Sequence, residues 1–191
     1  MTKVLVSILV AAISLTFCVS TAEARDPRPN LTKGETIKPF VDAVTLACTY
    51  SKVSGVSIDA LPSGVEDDLI AADALDRKYS VAPEDKPLMV SKTLGNLLEV
   101  FYDKNNDCIV SAVELPVQIA LDTQARLFRT MGKDVYQEVP YKPGYMPVGY
   151  EFVRKLDDGG TLTVHMEGAE PGLPGHALRF SLIVVRVSRK P

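Results

Sequence analysis

The sequence predicts an α+β protein, with an N-terminal helical half that contains a helix-loop-helix and a small C-terminal antiparallel sheet. Three observations predict it. Between residues 35 and 131, apolar residues recur at steps of three and four. Past Gly132 that period vanishes, and prolines at 140, 143, 147, 171 and 174 take over. From Glu151 onward, two short strand-like runs flank Asp157-Asp158-Gly159-Gly160, a strong hairpin-turn signal. Helices first and strands later is the α+β order.

The chain opens Met1-Thr2-Lys3, followed by an uncharged run from Val4 to Ala22 and the small-x-small ending Ala22-Glu23-Ala24. These are the three regions of a secretory signal, so residues 1–24 are expected to be a signal peptide cleaved after Ala24. The alternative is a membrane anchor, which wants roughly 20 apolar residues. The scattered Ser and Thr and the small-residue ending favour cleavage. Bulky Phe17 before Cys18 speaks against lipidation. The mature chain, 25–191, is expected to be one domain, helical over 35–131 and β-rich over 135–188. It is expected to work in the periplasm or as a secreted protein. Losing the signal removes Lys3 and Glu23 together, so the net charge stays at -3. There is no basic patch of the kind nucleic-acid binding needs. No second apolar run is long enough to span a bilayer. The partner is expected among envelope or extracellular molecules, and the sequence does not say which.

The elements follow in order. Arg25 to Lys33 is a polar leader. Glu35 to Lys52 is expected to be a helix, with Ile37, Val41, Val44 and Cys48 on its inner face and Pro39 tolerated in the first turn. A second helix is expected over 64–79, where Ser63 and Glu66 form a capping box and Val65, Leu69, Ala72 and Leu75 line the buried side. A third is expected over 88–102, with Leu94, Leu97, Leu98, Phe101 and Tyr102 in one stripe and Glu99 facing away. The polar run Asp103 to Asp107 ends it. Another helix is expected from Ser111, capped by Ser111 and Glu114, buried through Val117, Ala120, Leu121 and Phe128, and stopped at Gly132. Strands are expected over 151–156, 161–166 and 179–188.

Signal removal also removes Cys18 and leaves Cys48 and Cys108. An even count in an oxidising compartment favours one disulfide. On the chain-entropy model it stabilises by roughly 4 kcal/mol. Two free buried thiols are the alternative.

The chemically informative segment is Asp103-Lys104-Asn105-Asn106-Asp107-Cys108-Ile109-Val110-Ser111-Ala112-Val113-Glu114. Its first, third, fifth, ninth and twelfth residues carry oxygen-bearing side chains, and the eighth is Val110. This pattern resembles the EF-hand calcium loop. The resemblance implies Asp103, Asn105, Asp107, Ser111 and Glu114 as side-chain ligands of Ca2+, and Ile109 as a carbonyl ligand. Calcium wants six to eight oxygens at about 2.3–2.6 Å. A tight turn offers alternate side chains, and a following helix swings in a long Glu. The segment departs from the family at its sixth position, where Cys108 stands in place of Gly, and no second loop pairs with it. Read without the resemblance, it is a polar turn with a capped helix after it.

Other candidates are weaker. His165-Met166-Glu167 puts a histidine and a carboxylate on one side of a strand. With His176 or Glu170 nearby, that set has the residue types of a zinc or hydrolytic site. An ordinary exposed strand face explains it equally. Tyr136, Tyr141, Tyr145 and Tyr150 either present aromatics to a glycan or peptide, or pack on the sheet. Asn30-Leu31-Thr32 fits a glycosylation acceptor. There is no phosphate loop and no Gly-x-Ser-x-Gly elbow. The sequence thus points to an exported calcium-binding structural or binding protein with no recognisable catalytic set. The alternatives are an exported cell-envelope hydrolase with a structural calcium site and a metal-free protein-interaction module. The hydrolase would take its acid from Glu151, Glu167 or Glu170, and the module would work through the Tyr-rich segment.

Overall fold

The computed structural model describes residues 33–58, 69–71, 88–91, 93–143, 146–172 and 179–191. The expected signal peptide, the acceptor at Asn30, and all of the 64–79 segment except 69–71 lie outside them. A helical run comes first: α1 (Lys33–Asp42), a π-helical segment (Ala43–Thr49) and α2 (Tyr50–Ser54). Then come β1 (Leu69–Ala71), β2 (Met89–Ser91), β3 (Gly95–Tyr102) and β4 (Cys108–Val113). One longer helix, α3 (Val117–Thr130), precedes β5 (Gln137–Val139), β6 (Val148–Lys155), β7 (Thr161–Ala169) and β8 (Leu182–Lys190). All eight strands belong to one antiparallel sheet, in the order β1-β2-β3-β4-β8-β7-β6-β5.

The protein is therefore mainly β, and the expectation of a helical half around a helix-loop-helix is wrong. Met89–Ser91 and Gly95–Tyr102 form β2 and β3 in place of the expected helix, and 69–71 form β1. Ser111 lies within β4, and the next helix begins only at Val117. The physical reason is burial on both faces. In β3, Leu98 and Val100 face the helices, while Glu99 and Phe101 face the other way, and all four are buried. Every residue of β4 is buried as well. A strand buried on both sides reads as a dense apolar run, which matches a helical period as well as an alternating one. The residue types pointed the other way: Val100, Phe101 and Tyr102, then Ile109 and Val110, are strand formers.

The other elements follow the sequence closely. The helical run covers the expected 35–52. Strands β6, β7 and β8 match the three expected strands, with the turn between β6 and β7 at Asp157 to Gly160.

Both helical layers cover one face of the sheet. Phe40, Val44 and Ala47 from the first run and Ala120, Leu121 and Phe128 from α3 share one core with Val110, Val164, Met166 and Val185. A Cβ on Gly168 would come within 2.5 Å of Val117 Cγ1, so glycine lets α3 lie directly on β7. In the π-helical segment the Thr49 hydroxyl donates to the Val44 carbonyl at 2.7 Å, an i to i-5 bond that fits the wider turn. That segment carries Cys48 to the sheet. Cys48 and Cys108 form the expected disulfide, with Cα atoms 5.4 Å apart and a sequence separation of 60. It ties the first helical layer to central strand β4.

Candidate functional site

The segment expected to hold calcium is the tip of the β3–β4 hairpin. Asp103 Oδ1 accepts hydrogen bonds from the backbone N–H of Asn105 at 2.8 Å and of Asp107 at 2.9 Å. The Asp103 N–H donates to the Asp107 carbonyl at 3.0 Å. Asn106 turns the chain with φ 61, a left-handed geometry that Asn tolerates better than most residues. One carboxylate thus organises the turn, which is the usual work of Asp in turns.

Two cations of the protein hold this turn from opposite sides. On the helical side the Lys52 ammonium donates to the Asn106 carbonyl and lies 4.4 Å from the centre of the Tyr102 ring. Burial pushes the Lys52 ammonium below its ordinary value, and the Asp107 and Asp103 carboxylates oppose that shift. On the open side, Arg186 Nη1 lies 3.6 Å from Asp103 Oδ2 and 3.8 Å from Asp107 Oδ2. Both carboxylates therefore aim at one cationic position, and a guanidinium occupies it. Nothing local in the sequence marks Lys52 or Arg186. They meet the turn only because α2 and β8 flank it.

The structure brings Asp103, Asn105 and Asp107 together, and it separates the rest of the expected ligand set. β4 is extended, so at about 3.3 Å per residue Glu114 stands roughly 20 Å beyond Asp107. Ligands of one calcium ion lie within about 5 Å of each other. Glu114 instead has φ 63, and its N–H donates to the Ser181 carbonyl at 3.0 Å. Ser111 is buried within β4, and its hydroxyl finds no partner among the described residues. Ile109 is paired on both sides, to Phe101 and to Arg186, so its carbonyl is committed to the ladder. A twelve-residue calcium loop is therefore not formed. Among the described residues, no three His, Cys, Asp or Glu side chains converge on a metal position.

Beside the turn lies a cleft of about 650 Å³. Ser51, Lys52, Val56, Tyr102, Asn106 and Arg189 are among the residues that line it, with Asn105 and Asp158. The Ser51 and Tyr102 hydroxyls share a hydrogen bond of 2.8 Å. Arg189 pairs with Asp158 and donates to the Lys52 carbonyl at 2.9 Å, capping the end of α2. Each cation here already has an acceptor.

The open face of β6 and β7 carries a second cluster. Glu151 lies 3.2 Å from His165 Nδ1, and Glu167 lies 3.8 Å from His165 Nε2. Glu170 is elsewhere: its carboxylate accepts from the Val117 N–H at 2.9 Å and caps α3. His176 and Tyr145 lie outside the described residues. The other three tyrosines of that segment have contacts within the protein. Tyr136 is buried against Phe128, with ring centres 4.6 Å apart. Tyr150 donates to Asp122 at 2.5 Å, and Tyr141 donates to the Met146 carbonyl at 2.9 Å.

No helix among the described residues is long and apolar enough to cross a membrane. No known protein family, curated protein or solved structure matches the chain.

Proposed function

We propose that this is an exported, disulfide-stapled binding protein whose ligand site is the cleft between α2 and the Asp103–Asp107 turn. One observation carries the reading: a cleft of about 650 Å³ is lined by both α2 and the β3–β4 turn, the two elements that lead away from the Cys48–Cys108 bridge. Ligand clefts span roughly 300–1,000 Å³. The bridge and the two cationic contacts hold its walls rigid, and a rigid site loses little entropy on binding. Lys52, Arg189 and Asp158 each already have a hydrogen-bond partner within the protein. What remains are hydroxyl and amide groups, from Ser51, Asn105 and Asn106, beside the apolar Val56. That lining suits an uncharged, hydroxyl-rich ligand of about disaccharide size. Export is supported by the leader sequence and by a disulfide, which persists in oxidising compartments.

The test is a ligand-detected magnetic-resonance screen of neutral oligosaccharides against the oxidised mature chain. Hits are expected to weaken in Asn105→Ala and to survive Glu151→Gln on the opposite face. Hits indifferent to Asn105, or none at all, would remove the cleft from consideration.

A second reading keeps calcium, on the convergence of Asp103 Oδ2 and Asp107 Oδ2 at one cationic position. Asp103, Asn105 and Asp107 would then form a weak site near 10⁻³ M, typical of extracellular modules. Calcium calorimetry decides it. Binding lost in Asp107→Asn and unchanged in Glu114→Gln supports the three-residue turn. Loss in Glu114→Gln would restore the twelve-residue loop, and no heat would end the calcium reading.

A further inference from the structure

The open face of the sheet holds a constellation that the cleft does not use. β6 and β7 place Glu151 directly opposite His165, and Glu167 follows two residues on, on the same face. Glu151 Oε2 lies 3.2 Å from His165 Nδ1. A carboxylate in that position accepts the Nδ1 proton and leaves the lone pair on Nε2. Nε2 in turn faces Glu167 Oε2 across 3.8 Å. That gap is wider than a hydrogen bond. The Glu167 side chain is only 12% exposed, and its Oε2 has the Tyr141 hydroxyl at 3.5 Å. The Tyr141 ring leans on His165, with centres 5.4 Å apart. It also rests on Gly149, where any Cβ would come within 2.5 Å of the ring. The cluster is thus walled by an aromatic ring that only glycine admits.

We propose that His165 Nε2 and Glu167 Oε2 form an open binding site for a zinc-class transition-metal ion, with Glu151 as the positioning residue that fixes the imidazole. Zinc takes nitrogen and oxygen at about 2.0–2.2 Å, and at a tetrahedral angle two such ligands stand roughly 3.4 Å apart. Closing from 3.8 Å needs Glu167 to move by a few tenths of an ångström. With two protein ligands, water fills the remaining positions, and the site stays open to a further ligand. Imidazole selects against calcium and magnesium, which take oxygen. Two carboxylates also favour a divalent cation here. The nearest cation across the sheet, Arg186, pairs with His165 in register but directs its guanidinium to Asp103 and Asp107. The zinc site is therefore distinct from the acidic turn in position and in ion.

The experiment is zinc calorimetry on the oxidised mature chain, repeated with cobalt and followed by visible absorption. One ion per chain is expected. His165→Asn and Glu167→Gln should each abolish binding, and Glu151→Gln should weaken it 10- to 100-fold. His176→Asn should leave it unchanged. A nitrogen-detected imidazole spectrum of the unmutated chain gives a readout independent of folding in the variants: zinc should move His165 Nε2 while Nδ1 keeps its proton. No zinc heat up to millimolar, binding that survives His165→Asn or Glu167→Gln, or shifts confined to His176 would overturn the proposal.

Discussion

Two hairpins of one sheet are held to different helices on the same face, by different means. β3–β4 is buried on both faces, and a disulfide from Cys108 to the π-helical segment pins it. β6–β7 buries one face, in an alternating pattern along β7, and packing alone pins it, through Phe152 under Phe128 and Gly168 under Val117. Their turns differ as well. Asp103 accepts two backbone N–H groups in a turn flanked by Lys52 and Arg186, whereas Asp158 accepts one, from Gly160, and a side-chain bond from Arg189 near the surface. The comparison teaches that the hairpin with the clear strand pattern is the one open to solvent. The hairpin deepest in the structure has the least legible pattern.

The largest test of this contrast is on the packed side. Phe128→Ala should cost about 3–5 kcal/mol, read by urea denaturation, because the ring touches both Tyr136 and Phe152. Amide exchange should then rise first in β5 and β6. Replacing Cys48 and Cys108 together by Ala should cost about 2–5 kcal/mol and should loosen β3 and β4 first. If both changes loosened the two hairpins alike, the contrast would fail. At the turns, Asp103→Ala should cost about 1–2 kcal/mol, since two backbone donors lose their acceptor. Asp158→Ala should cost under about 0.5 kcal/mol, as for other surface changes.

A further effect is pH-dependent and belongs to the contact between α3 and β5. The hydrogen bonds from Arg129 hold the Glu138 carboxyl below its ordinary value of 4.5. A depressed folded value contributes stability above that pH and loses it as pH falls further. Both side chains are well exposed, so the effect stays under about 1 kcal/mol. Arg129→Ala should narrow the stability difference between pH 7 and pH 3 by that amount in thermal melts.

The local signals in the sequence were good wherever one face meets water. Glu35 to Lys52 showed its helical stripe, and β6, β7 and β8 showed strand composition around Asp157 to Gly160. Cys48 and Cys108 were legible by counting, because removing Cys18 left a single pair. Asp103, Asn105 and Asp107 were legible as an oxygen-rich turn. Glu99 and Ser111 misled in different ways. Glu99 in a dense apolar run looks like the outer face of a helix, and Ser111 with Glu114 looks like a helix cap, yet both Glu99 and Ser111 are buried on doubly covered strands. Lys52, Arg186 and Arg189 carried no signal at all, since each acts on residues far away in the chain.

The sequence by itself determined the leader pattern, the cysteine pair, the hairpin at Asp157 to Gly160 and the polar turn at Asp103 to Asp107. Each of these rests on residues that are neighbours in the chain, or on a count. Only the tertiary structure decided that 89–91, 95–102 and 108–113 are strands and that Glu114 lies far from Asp103. It alone also placed the cations that flank the acidic turn. Those outcomes depend on pairing β4 with β8 and packing α2 beside the turn. Contacts between segments so far apart have no local pattern to announce them.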